Sequence, residues 1–257
     1  MWEKELNIAK EAATASGKIL IRLFGQVSHV IKKGAIDLVT EADFQSEKTV
    51  IEIIRRHFPQ DSILSEEVGG YERSSNRTWL IDPLDGTTNF VHGFPFFAVS
   101  IALEIDKELV IGVVLNPFMD ELFEAAKGTG AFLNSKPIAV SRTPKLTEAL
   151  LATGFPYDIH EKAEEVLNRL KKMVITSQGV RRPGAAAIDM CYVAAGRLDG
   201  FWEQGLKPWD TAAGMVMIQE AGGKLSTFQG GHYTPYQNSI VAANPFIHKA
   251  MITLMNS

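Results

Sequence analysis

The 257-residue sequence contains one cysteine, Cys191, and no apolar run long enough to cross a bilayer. A single thiol cannot form an internal disulfide, so a reducing compartment suits the chain and a cytoplasmic location is expected. The longest nearly apolar stretch, Phe94 to Ile105, is interrupted by Pro95 and Ser100 and falls short of the ~20 residues that a membrane helix requires. The charged and amphipathic opening, Met1 to Ala13, lacks the apolar segment and small-residue cleavage site of a secretory signal. Charge of one sign is also scarce, since 26 Lys and Arg stand against 30 Asp and Glu. Basic residues cluster only in pairs such as Lys32-Lys33, Lys171-Lys172 and Arg181-Arg182, which argues against tracking nucleic-acid phosphates. None of His29, His57, His92, His160, His232 and His248 forms an HxxxH pair, and one cysteine cannot build a thiolate zinc site. The glycine-rich loop of P-loop NTPases and the G-x-S-x-G elbow of α/β-hydrolases are missing too.

What is present is the composition of a folded protein, 46% apolar and 22% charged, at a length that suits one compact unit with two lobes. The texture changes near residue 142, which suggests an α+β lobe over 1–141 and an α/β lobe over 142–257. Helical spacing of Trp2, Leu6, Ala9, Ala13, Leu20 and Phe24 predicts a first helix. After a short connection from Ile36 to Thr40, the pair Thr40 and Asp43 has the spacing of a capping arrangement for a second helix ending near His57. Short apolar runs at Ser62–Ser65 and Trp79–Ile81 read as buried strands ending in acidic residues. Strands are expected over Phe96–Ile105, Val110–Leu115 and Glu121–Ala126, joined as an antiparallel meander, with a further hairpin around Asn134–Lys136. Helices are expected over 161–172, 185–195, 210–221 and from about Pro245 to Met255, the remainder of the second lobe being strand and turn.

The most informative segment is Trp79-Leu-Ile-Asp82-Pro-Leu84-Asp85-Gly86-Thr87-Thr88-Asn89-Phe90. An apolar strand leads into two carboxylates held by a proline turn, so Asp82, Asp85 and the Leu84 carbonyl can face one spot. Such all-oxygen sets suit Mg²⁺, a hard cation, while the Gly86 and Thr87 amides suit an anion. Asp, Pro and Gly also make ordinary surface turns. Glu66 follows another strand, and Asp210 heads a helix where it could equally serve as a cap.

The ordered elements Asp37-Leu-Val-Thr40-Glu-Ala-Asp43, Glu66-Glu67, Asp82-Pro-x-Asp85-Gly-Thr-x-Asn-Phe90 and Trp209-Asp210 with Glu220-Ala-Gly-Gly223 resemble the inositol monophosphatase family across nearly the whole chain. The stretch Arg181 to Ala187 resembles its bacterial and archaeal branch. The resemblance implies a layered αβαβα sandwich of the inositol monophosphatase and fructose-1,6-bisphosphatase type, combining α+β and α/β parts and usually homodimeric. It implies an Mg²⁺-dependent, lithium-sensitive phosphomonoesterase using two or three ions, with inositol monophosphate as the expected substrate. Metal ligands would be Glu66, Asp82, the Leu84 carbonyl, Asp85 and Asp210. Glu66 and Thr87 would position the attacking water, with Asp43 orienting Thr87. Leu84, Asp85, Gly86, Thr87, Arg181, Arg182, Gly184, Ala185, Ala186, Glu203 and Asp210 would contact substrate. Relatives also act on fructose 1,6-bisphosphate, histidinol phosphate, nucleotide 3′-phosphates or NADP. A carboxylate at Glu203 favours a polyol, because it accepts hydroxyl protons and repels a second phosphate. Some bacterial relatives also assist transcription complexes, which makes a regulatory binding role the alternative of another class.

Overall fold

The computed structural model describes residues 2–26, 30–32, 38–71 and 75–257. Helix α1 (Glu3–Leu23) is followed by two short strands, β1 (Val30–Lys32) and β2 (Leu38–Thr40), which pair antiparallel. Thr40 therefore closes a strand where a plain connection was expected; Ile36 and Asp37 lie outside the described residues. Helix α2 (Glu41–His57) starts as its sequence suggests, with the Thr40 amide donating to Asp43 Oδ2 at 2.7 Å and the Ala42 amide to Thr40 Oγ1 at 3.1 Å. Both satisfy donors that an α-helix leaves open at its start.

The first large sheet is built from β3 (Ser62–Ser65), β4 (Gly69–Tyr71), β5 (Arg77–Asp85), β6 (Ala98–Ile105), β7 (Glu108–Asn116), β8 (Glu121–Ala126), β9 (Gly130–Leu133) and β10 (Lys136–Ile138). Its spatial order is β10-β9-β8-β7-β6-β5-β3-β4, antiparallel throughout except for the parallel pair β3 and β5. A five-residue helix, α3 (Thr87–Val91), lies between β5 and β6. Beyond a 3₁₀ turn at Leu146–Glu148 come β11 (Leu150–Thr153), α4 (Ile159–Thr176), β12 (Gly179–Arg181), α5 (Ala186–Ala194), β13 (Gly200–Gln204), α6 (Pro208–Glu220), β14 (Lys224–Ser226), β15 (Ser239–Ala243) and α7 (His248–Met255). These strands form a second sheet in the order β12-β11-β13-β15-β14.

Five layers follow from how the apolar faces are covered. Helices α1 and α2 lie on one face of the first sheet; α6 lies on the other face and packs against α5, which meets the second sheet. Helices α4 and α7 cover that sheet's far side. Alternation along β5 sends Trp79 and Ile81 into the outer core under α1 and α2, and Leu80 into the central core. Side chains alternate across a strand, and both faces of this sheet are covered, so its central strands carry almost unbroken apolar runs. Helix α6 is enclosed similarly, Thr211 to Ile218 being buried without a break. The result is the expected αβαβα sandwich.

Candidate active site

Strand β5 does not stop at Ile81 in a proline turn, as its sequence suggests, but continues to Asp85 through a bulge. Its register against β6 runs Asp82 to Ser100 and then Asp85 to Ala98, so three steps on β5 match two on β6. In a regular strand, residues three apart face opposite sides; the extra residue changes that parity and lets Asp82 and Asp85 open into one cavity. Pro83 is tolerated there because a bulge needs no ladder N–H from it.

That cavity holds about 220 Å³ and lies where the end of the first sheet meets the starts of α5 and α6. Glu66, Asp82, Leu84, Asp85, Gly86, Thr87, Arg182, Gly184, Ala185, Ala186, Glu203 and Asp210 all line it. Asp43 lies behind the wall, where its Oδ1 accepts a hydrogen bond from Thr87 Oγ1 at 3.0 Å. The Leu84 carbonyl is also 3.0 Å from that hydroxyl. Arg181 departs from the expected set: it is exposed, absent from the cavity lining, and its guanidinium bonds the Val180 carbonyl. Arg182, beyond the end of β12 and also exposed, does line the cavity, with its guanidinium 5.3 Å from the centre of the Phe155 ring.

The electrostatics are those of crowded carboxylates. Burial, then Glu66, Asp85 and Asp210, hold Asp82 well above the ordinary carboxylate range. Asp85 is pushed up to about 7 by burial, although the Ala187 amide, donating to its Oδ2 at 2.8 Å, works the other way. Burial likewise raises Asp210 to about 7, against the pull of the Lys207 amide at 2.7 Å. Glu203 reaches about 8 through burial and the nearby Asp210, with Arg182 opposing. Charges gathered this way require either protons or a cation.

The donor chemistry fits a hard divalent cation: four carboxylates and a carbonyl, with no sulfur or imidazole among the lining residues,. Among the described residues no group of three or more His, Cys, Asp or Glu side chains is placed, as the side chains stand, so that it could hold a metal ion. Mg²⁺ keeps several waters and takes one or two carboxylates together with substrate phosphate, so it does not need a cage made wholly of protein side chains.

Several lining residues carried no recognisable signal. Asp189, on α5, is buried; its Oδ1 has no hydrogen-bond partner, and burial with Glu203 and Asp85 nearby raises it well above the usual range. In sequence it is one acid in the apolar run Ala185–Cys191. Gly154 lines the wall against Glu203, and a Cβ there would fall 2.2 Å from both carboxylate oxygens. Trp209 lines the cavity as well.

The sequence model of the inositol monophosphatase family matches residues 1–257. This chain belongs to that family. Inositol-1-monophosphatase of Synechocystis sp. is 47% identical over 248 residues, covering 96% of this chain and 86% of that protein. Nus factor SuhB of Pseudomonas aeruginosa is 44% identical over 255 residues, covering 96% and 94%. In three dimensions the extragenic suppressor protein SuhB of Bartonella henselae superposes with a TM-score of 0.96 at 40% identity, covering 99% of each chain. Membership makes the protein a phosphatase, in a family that is generally metal-dependent. No helix among the described residues is long and apolar enough to cross a membrane.

Proposed function

We propose that the protein is an Mg²⁺-dependent phosphomonoesterase that hydrolyses inositol monophosphate to inositol and phosphate. The observation that carries this reading is the convergence of Glu66, Asp82, Asp85 and Asp210 on one cavity whose lining also includes Glu203 and Arg182. Glu66, Asp82, the Leu84 carbonyl, Asp85 and Asp210 would hold two or three Mg²⁺ ions. When bound, such ions acidify water and neutralise phosphoryl charge.

The chain's own groups do the rest. Thr87 Oγ1 turns its proton toward Asp43 and the Leu84 carbonyl, which leaves its lone pairs to hold the attacking water. Water adds to phosphorus, the ester P–O bond breaks, and the products are the free alcohol and inorganic phosphate. The amides of Gly86 and Thr87, with Arg182, face the phosphate. Glu203 and Asp189 provide carboxyl oxygens for ring hydroxyls, and this polar lining favours a polyol monophosphate over fructose 1,6-bisphosphate or NADP,.

Phosphate release should be measured from inositol 1-phosphate, fructose 1,6-bisphosphate, histidinol phosphate, a nucleotide 3′-phosphate and NADP, with and without Mg²⁺. The expected result is fastest release from inositol 1-phosphate, dependence on Mg²⁺ and inhibition by Li⁺. Absence of Mg²⁺-dependent release from every monoester overturns the reading. A second reading, contact with a transcription complex, is favoured by the relative named Nus factor SuhB. Retention of RNA polymerase components on the immobilised protein tests it. A homodimer in the cytoplasm is the expected setting for either role.

A further inference from the structure

Helix α2 presents a polar edge to the protein interior. Asp43, Ser46 and Glu47 are at most 2% exposed, and their spacing of three and four residues puts them on one face. Each is bonded to a different segment of the site. Asp43 holds Thr87. Ser46 Oγ donates to the Pro83 carbonyl at 2.6 Å, inside the β5 bulge, and lies 2.5 Å from Ser16 Oγ on α1. Glu47 serves the turn after β3: its Oε1 accepts from the Ser65 hydroxyl, from the Glu67 amide at 3.0 Å and from the Val68 amide at 3.2 Å.

These three donors bracket Glu66 on both sides in the chain. A buried carboxylate is costly unless hydrogen-bonded, and here one oxygen collects three donors from the short segment that delivers Glu66 to the cavity. An apolar side chain could fill the same volume between α2 and the sheet, but it would leave two amides and a hydroxyl of that turn without an acceptor. The Glu66 amide is tied separately, to the Ile81 carbonyl at 3.2 Å, which fixes the turn against β5.

We propose that Glu47 is a positioning residue: its carboxylate clamps the 65–68 turn and thereby sets the orientation in which Glu66 meets a divalent cation. The inference rests on the reading of Glu66 as a metal ligand. It makes α2 the common support of the site, since one helix face then fixes the water-holding hydroxyl, the bulge between Asp82 and Asp85, and the Glu66 turn.

The test uses the full chain with Glu47→Gln, which keeps size but weakens the acceptor, and Ser46→Ala as a neighbour on the same helix. Amide hydrogen exchange is followed without metal, and Mn²⁺ binding is followed by loss of the free ion's paramagnetic resonance signal. In Glu47→Gln, exchange at Glu67 and Val68 should quicken roughly tenfold while α1 and β6 stay as in the wild type, and Mn²⁺ affinity should fall roughly tenfold. Ser46→Ala should leave the Glu67 and Val68 amides unchanged. Unchanged exchange at those amides, an increase shared by the whole chain, or local loosening with wild-type Mn²⁺ affinity each overturns the proposal. Neither measurement involves turnover. A wild type that binds Mn²⁺ yet releases no phosphate therefore refutes the proposed reaction, while the clamp is judged on exchange and affinity alone.

Discussion

Asp85 faces the cavity and also takes the Ala187 amide at the start of α5, so its carboxylate is both a candidate ligand and a cap supplied from another segment. Asn accepts from helix-start amides about as well as Asp but carries no charge. Asp85→Asn should therefore unfold within about 1 kcal/mol of the wild type, while phosphate release falls by more than ~100-fold, the upper end of what even the outer partners of a metal ligand contribute. Urea unfolding and a phosphate assay on the same preparation check both halves. His248 gives a prediction remote from the chemistry. It is buried beside Ser226 Oγ at 3.1 Å, and burial, with Lys224 nearby, lowers its pKa below the ordinary 6.5. A lowered folded pKa means that the unfolded chain binds the proton more readily. Stability is thus complete above pH 6.5 and is lost as pH falls toward the folded value, at no more than about 1.4 kcal/mol per pH unit. His248→Gln should show a shallower loss between pH 7.5 and 5.5 in denaturant titrations.

At the scale of elements, α1 and α2 were legible because one face is covered and the apolar period is clean, and the β6–β8 meander because its strands, covered on both faces, are apolar runs broken by turn residues,. The β5 bulge was not legible, because Asp-Pro-x-Asp reads equally as a turn and only pairing with β6 shows the extra residue. The same limit hid which of Arg181 and Arg182 lines the cavity. Asp189 was missed for another reason: one acid in an apolar helix shows nothing until the packing reveals what it faces. The polar tie between β5 and its surroundings was likewise invisible in sequence. Asp61 takes both oxygens to Arg77 Nε, at 3.1 and 3.0 Å, and one to Trp79 Nε1 at 2.9 Å, while Arg77 also reaches Glu5 on α1 at 3.0 Å. Asp61→Ala would leave the fully buried Trp79 ring N–H without an acceptor. The expected loss is roughly 2–3 kcal/mol, read from urea midpoints at unchanged slope.

For the whole molecule, the site depends on how closely α6 approaches the first sheet. Gly112 on β7 faces α6, and a Cβ there would lie 2.5 Å from the Ala213 carbonyl. Gly112→Ala must push the helix away, with an expected destabilisation of about 1–3 kcal/mol. Because α6 carries Asp210 while β5 carries Asp82 and Asp85, the same variant should also weaken Mg²⁺-dependent phosphate release, a loss that a stability measurement and an assay at low temperature can separate. The enclosure of α6 has a consequence for assembly. A helix whose middle, from Thr211 to Ile218, is wrapped in greasy neighbours gains its place only when both flanking sheets are there to receive it. Severing the chain midway would strip the larger sheet of its inner lining and leave a broad sticky plate, so the two halves ought to clump when made apart and to dissolve when made together.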